Sequence, residues 1–188
     1  MTIHGNVHGE GSSKKNGLKI GNKLKVITAK TSLMALGVTF ELCAKYVPEM
    51  KNEISDWEDG RNVGIGVLPT GPYITVRKDG EKFTYLGSGL QDAEISILFK
   101  NLDSAMMIFL GQLGAADAVA ENRVCVQGQN YMAMQVTRAM AIVQTYLFPG
   151  FILRNTFKRP PKLNGQQIAT KAKIMGLLTP KLIGASFK

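Results

Sequence analysis

Apolar and polar residues alternate in short runs through the middle of the chain and recur at helical steps on either side. In residues 93–99, Ala93, Ile95, Ile97 and Phe99 fall on one face and Glu94, Ser96 and Leu98 on the other, the pattern of a half-buried strand. Val63, Ile65 and Val67 alternate with Gly64 and Gly66, so one face of that strand is bare backbone against which something must pack closely. Residues 73–78 and 81–86 flank Asp79-Gly80, a two-residue hairpin signal, and Val124 and Val126 share a face of a further strand at 123–127 closed by Gly128. Steps of three and four link Val26, Ala29, Leu33, Leu36, Phe40, Cys43 and Val47, which predicts a helix from about residue 22 to 50 that Pro48 ends or kinks. Residues 51–60 read as a further helical turn packing Trp57 on the body, with Asp59-Gly60 as the turn out. Asn101 and Asp103 stand before the apolar run 105–110, and either short side chain suits the first free amides of a helix that stops near Gly111 or Gly114. A short helix follows at 115–121. Met132, Val136, Ala139, Val143 and Leu147 then mark one stripe of a long helix from Asn130 that Pro149-Gly150 terminates. About five strands interrupted irregularly by helices predict an α+β fold, a mostly antiparallel sheet with helices covering one face.

The two ends differ from this body. Residues 1–22 are rich in glycine and serine and read as a flexible N-terminal arm, 23–150 as the folded domain, and 151–188 as a basic, partly helical C-terminal extension. In the extension Lys158-Arg159-Pro160-Pro161-Lys162 is a stiff basic spacer, and Asn164 is placed to cap a helix bearing Ile168, Ala172 and Met175. The formal charge is +9, and its distribution decides its meaning. Residues 31–149 hold nine basic and thirteen acidic side chains, whereas 1–30 hold six lysines and one glutamate and 150–188 eight basic residues and no acid. Attraction to a polyanion or an anionic membrane is therefore a property of the terminal segments.

Candidate chemistry is sparse. His4 and His8 are the only histidines and lie in the glycine-rich arm, where their spacing does not suit a metal, so no metal or other cofactor is expected. A Ser or Cys nucleophile would lack a base, and Glu94, Asp103, Asp117 and Glu121 fall where solvated or helix-capping carboxylates belong. The chain reads as a non-enzyme. Cys43 and Cys125 read as buried free thiols, and no uninterrupted apolar run reaches the roughly 18 residues that span a bilayer. A cytoplasmic protein is expected.

The order strand, polar-capped helix, short alanine-containing helix, strand ending in glycine and final amphipathic helix, carried here by Ile95-Ser96-Ile97, Asn101 to Leu110, Ala115 to Glu121, Val124 to Gly128 and Asn130 to Leu147, resembles the sterol carrier protein 2 family of lipid-binding domains. The resemblance covers roughly residues 25–150. It implies non-covalent binding of an apolar molecule such as a fatty acyl chain, sterol or phospholipid in a tunnel between sheet and helices.

Met106, Met107, Met132, Met134 and Met140 place five of the nine methionines on two predicted helices. Such a stripe reads either as ordinary core or as the wall of an adaptable apolar cavity. On the second reading Val124, Val126, Met132, Val136 and Met140 form the wall together with Met106, and Phe109 and Leu113 close one end. The function expected is carriage of an apolar ligand, with the basic tail docking to an anionic membrane. The other class is a nucleic-acid-binding or protein-interaction module that uses the basic tails, with Phe151, Phe157 and Phe187 stacking on unpaired bases around an ordinary packed core. The tail helix either folds back over the opening or pairs with a second copy in a homodimer.

Overall fold

A computed structural model describes residues 11–156 and 162–185, with side chains described for 22–114, 117–154 and 162–184. His4, His8, Phe157, the spacer residues Lys158 to Pro161 and Phe187 lie outside the described residues. Among the described residues there are five strands and seven helices, α1 (Gly11–Tyr46), α2 (Pro48–Ile54), β1 (Asn62–Val67), β2 (Tyr73–Asp79), β3 (Lys82–Ser88), β4 (Ile95–Phe99), α3 (Leu102–Phe109), α4 (Ala115–Ala120), β5 (Val124–Gln127), α5 (Asn130–Leu147), α6 (Gly150–Thr156) and α7 (Gly165–Ala185).

The strands form one sheet in the order β3-β2-β1-β4-β5. Three of its four pairings are antiparallel, and the fourth sets β1 parallel to β4 with Val63 opposite Ile95 and Val67 opposite Phe99. The fold class is α+β, with a mostly antiparallel sheet. α1 lies across the helix-covered face, packed against β2, β3, α3, α5 and α7. Gly37 allows that approach, because a Cβ there would come 2.5 Å from the Tyr85 ring. Leu33, Leu36, Phe40, Val63, Ile65, Ile95 and Ile97 meet in the core between them.

The opposite face shows why β1 carries two glycines. A Cβ on Gly64 would lie 2.7 Å from both Leu90 Cδ2 and Ser96 Oγ, and one on Gly66 would strike the Tyr73 ring. The segment between β3 and β4 and the first residue of β2 are the close neighbours that the bare strand face predicts. Asn101 rather than Asp103 caps α3, its Oδ1 accepting from the Ser104 amide at 2.8 Å, while Asp103 pairs with Lys25 at 2.6 Å. Pro48 separates α1 from α2 and stands at the start of the latter.

Two readings of the ends change. α1 begins at Gly11, inside the segment expected to be an arm, and Asn22–Tyr46 is long and apolar enough to cross a membrane by length and composition, although half of its most apolar window is buried in the fold. A count of uninterrupted apolar residues misses it because Lys23, Lys25, Lys30, Glu41 and Lys45 break the run. α7 is docked on the body. Ile174 is fully buried, Leu177, Leu178 and Leu182 pack on the core, and Lys171 donates to the carbonyls of Thr145 and Phe148 at 2.7 and 2.6 Å at the end of α5. Asn164 and Gln167 form the reciprocal pair of a capping box. Ile168, Ala172 and Met175, the residues named for this helix from the sequence, point outward.

Candidate ligand pocket

At the end of β4 that holds Phe99, the helices do not close completely. α1 contributes Ser32, Ala35 and Leu36, α3 contributes Ile108 and Phe109, and α5 contributes Met140, Gln144 and Leu147, with Phe148 just beyond it. Together they enclose a cavity of about 130 Å³. Its walls follow from spacing. Ser32 and Leu36 lie one turn apart on α1, and Met140, Gln144 and Leu147 lie at steps of four and three on α5, so each helix turns one stripe inward. Leu36, Phe99, Ile108 and Gln144 are buried and form the inner end, whereas Ser32, Ala35, Phe109 and Leu147 are half-buried and form the rim. The Phe109 ring meets Phe99 edge-on at a centroid distance of 5.4 Å, which fixes one wall.

The lining is apolar apart from Ser32 and Gln144. Gln144 is 2% exposed, and its Oε1 accepts no hydrogen bond among the described residues. Tyr146 on the same helix also buries an unpartnered hydroxyl, and burial, with Glu49 and Cys43 nearby, pushes its ionisation up to about 12. Burial likewise raises the Cys43 thiol, with Glu49 adding to the effect, so that this sulfur stays protonated and unreactive. No group of three or more His, Cys, Asp or Glu side chains suited to a metal comes together among the described residues.

Of the positions expected from sequence to form the site, Phe109 and Met140 line this cavity. Met132 and Val136 are buried one to two turns earlier on α5, and Leu113 is buried after α3. Met106 and Val124 are half-buried, and Val126 stands 41% exposed on the edge strand β5. Ser32, Ala35 and Leu36 were not anticipated as lining residues, and neither was Gln144. The available signal was a polar residue on the buried stripe of α5, four positions after Met140.

A second polar cluster occupies the other end of the central strands. The Arg61 guanidinium is 2% exposed, donates to Gln135 Oε1 at 2.9 Å, and lies over the rings of Trp57 and Tyr131 at 5.8 and 6.0 Å. Glu58 and Glu94 stand 3.5 and 4.0 Å from it. Beside it Lys78 donates to Asp59 Oδ1 at 2.6 Å and to the Trp57 carbonyl. Asp59 is held below the usual carboxylate range by that hydrogen bond and by the Gly80 amide.

The molecule is thus an α+β domain with an apolar pocket at one end of its sheet. Solved structures similar to it are sterol carrier protein domains. A UbiJ-SCP2 ubiquinone synthesis protein matches at 11% identity and a TM-score of 0.41, over 61% of this chain and 94% of that one. The sterol carrier protein domain 2 of Helicoverpa armigera matches at 17% identity and a TM-score of 0.40, over 57% and 84%. A crystal structure of sterol carrier protein 2 matches at 12% identity and a TM-score of 0.42, over 61% and 93%. No protein-family model and no curated protein matches the chain.

Proposed function

We propose that the protein binds an apolar molecule non-covalently in the pocket between α1, α3, α5 and β4 and carries it unchanged. The observation that carries this reading is the cavity itself, about 130 Å³ walled by Leu36, Phe99, Ile108, Phe109, Met140, Leu147 and Phe148. An apolar cavity of about 150 Å³ is enough to hold a benzene-sized molecule, whereas pockets for whole drug-sized ligands run from about 300 Å³ upward. As formed, the pocket takes one end of an acyl chain or a single ring. Met140, with its flexible thioether, and the half-buried Phe109 are the side chains that must move for a longer ligand. The buried, protonated Cys43 thiol supplies no nucleophile, in keeping with carriage rather than catalysis.

The surface suits delivery at an anionic cytoplasmic leaflet. Ile168, Met175 and Ile183 are 57%, 40% and 62% exposed on α7, and residues 162–185 carry four lysines and no acid. Each lysine near such a surface contributes about 1 kcal/mol. Saturable uptake of a short-chain alkyl probe by the wild-type protein, blocked by Ala35→Leu, which fills the rim, is the test. Uptake that Ala35→Leu leaves unchanged would place the ligand elsewhere.

A further inference from the structure

A second recess opens where the last turns of α1 meet the β2–β3 hairpin, and it shares no lining residue with the apolar pocket. It is an open cleft of about 350 Å³ with an ionic lining. Lysines from four elements converge on it, Lys45 of α1, Lys51 of α2, Lys82 of β3 and Lys181 of α7. Only two carboxylates stand among them, Glu41 and Glu81. Lys181 holds Glu41 Oε2 at 2.7 Å while the Tyr85 amide donates to Oε1 at 2.8 Å, and Lys51 reaches Glu81 at 3.4 Å. Lys45 and Lys82 form no ion pair among the described residues. Residues 31–149 are acidic on balance, yet three of their nine basic side chains line this one cleft. Ammonium groups gathered in a recess repel one another and focus a positive field, a cost that a bound anion removes.

The excess of two positive charges sets the class of anion. A carboxylate or a phosphodiester brings one negative charge and leaves an ammonium uncompensated. A phosphate monoester carries about −1.5 to −2 at neutral pH on three acceptor oxygens, enough to take both free lysines. We propose that the cleft binds a phosphate monoester, held by Lys45 and Lys82. The site stands whether or not the apolar pocket is occupied.

The test uses the full chain at constant ionic strength, with glycerol 3-phosphate as the soluble probe and the Lys45 and Lys82 backbone amides as NMR reporters. Glycerol 3-phosphate is expected to shift both amides saturably, to leave the Met140 methyl group in the apolar pocket unmoved, and to bind more weakly below about pH 6, where the monoester takes up its second proton. Lys45→Gln and Lys82→Gln, both exposed, are each expected to weaken binding about two- to fivefold, whereas Lys100→Gln, an exposed lysine outside the cleft, leaves it unchanged. Phosphatidylcholine vesicles containing phosphatidic acid distinguish the source of the ester. Co-sedimentation that falls in the Lys45→Gln/Lys82→Gln double variant, without a shift by the soluble probe, assigns a lipid headgroup, and the reverse assigns a soluble ester. The proposal is overturned if the soluble probe leaves both wild-type amides unmoved and vesicle binding survives the double substitution. It is overturned equally if the cleft variants bind as the wild type does, or if Lys100→Gln weakens binding as much as they do.

Discussion

The two ends of the central strands differ in what surrounds their buried polar side chains. At the start of β1 the Arg61 guanidinium lies over the rings of Trp57 and Tyr131 and donates to Gln135, with Glu58 and Glu94 within 4.0 Å, while Arg61 Nε and Trp57 Nε1 have no hydrogen-bond partner among the described residues. At the far end of β4, Gln144 is just as buried, its Oε1 has no hydrogen-bond partner among the described residues, and the apolar side chains around it leave a cavity open. A corner filled by a charged side chain between two rings stabilises the fold, whereas an apolar end left unfilled gives up packing and is able to receive something.

Removing the arginine is expected to have the largest effect. Arg61→Ala empties the space that this fully buried side chain fills against Trp57 and should lower unfolding free energy by about 3 kcal/mol in denaturant titration. Alkyl-probe affinity, measured where the variant is folded, should not change, because the pocket lies at the other end. Leu36→Ala should cost about 2 to 3 kcal/mol and enlarge the pocket, so that bulkier apolar probes bind more tightly than to the wild type. A variant that loses stability at the pocket end without gaining room for larger probes would break the contrast. Asn101→Ala removes the α3 cap on the pocket side and should cost about 1 kcal/mol.

The pH response belongs to the paired corner. Asp59 has its folded ionisation lowered by Lys78 and Gly80, so the native state binds fewer protons than the unfolded one between the two values. Its stabilisation is complete above the unfolded aspartate value of about 3.9 and is lost as pH falls through the lower folded one. Asp59→Asn should flatten that part of the acid-unfolding profile and leave probe binding near neutral pH unchanged. The smallest stability effect is expected on α7, where Ile168→Ser with Ile183→Ser should change stability by about 0.5 kcal/mol or less each while reducing co-sedimentation with anionic vesicles. Co-sedimentation equal to wild type would remove α7 from the membrane account.

Most of the scaffold was legible because its signals are local. Alternation located the strands, Asp79-Gly80 the hairpin and Pro149-Gly150 the end of α5. Gly64 and Gly66 announced a close approach, but not that Leu90, Ala93 and Tyr73 would make it, since that depends on how a distant segment returns. α7 was foreseen as a helix but not which of its faces would dock, because it has apolar residues on more than one face and only docking on α1 selects Ile174 over Ile168. Little of the cavity lining was legible. Phe109 and Met140 were among the expected residues, whereas the α1 wall was not, because nothing in the spacing of Ser32, Ala35 and Leu36 says which other helices they face. Arg61 and Gln144 were missed for one reason: a lone arginine after a turn and a lone glutamine on a helix ordinarily belong to the surface, and only tertiary packing buries them.

Native mass spectrometry of the purified full chain, followed by denaturing extraction, tests the central claim most directly. One apolar molecule per chain is expected, released on unfolding and absent from Ala35→Leu. A protein that is empty as purified and takes up no alkyl probe saturably would contradict it, leaving the cavity as a packing defect in an ordinary core.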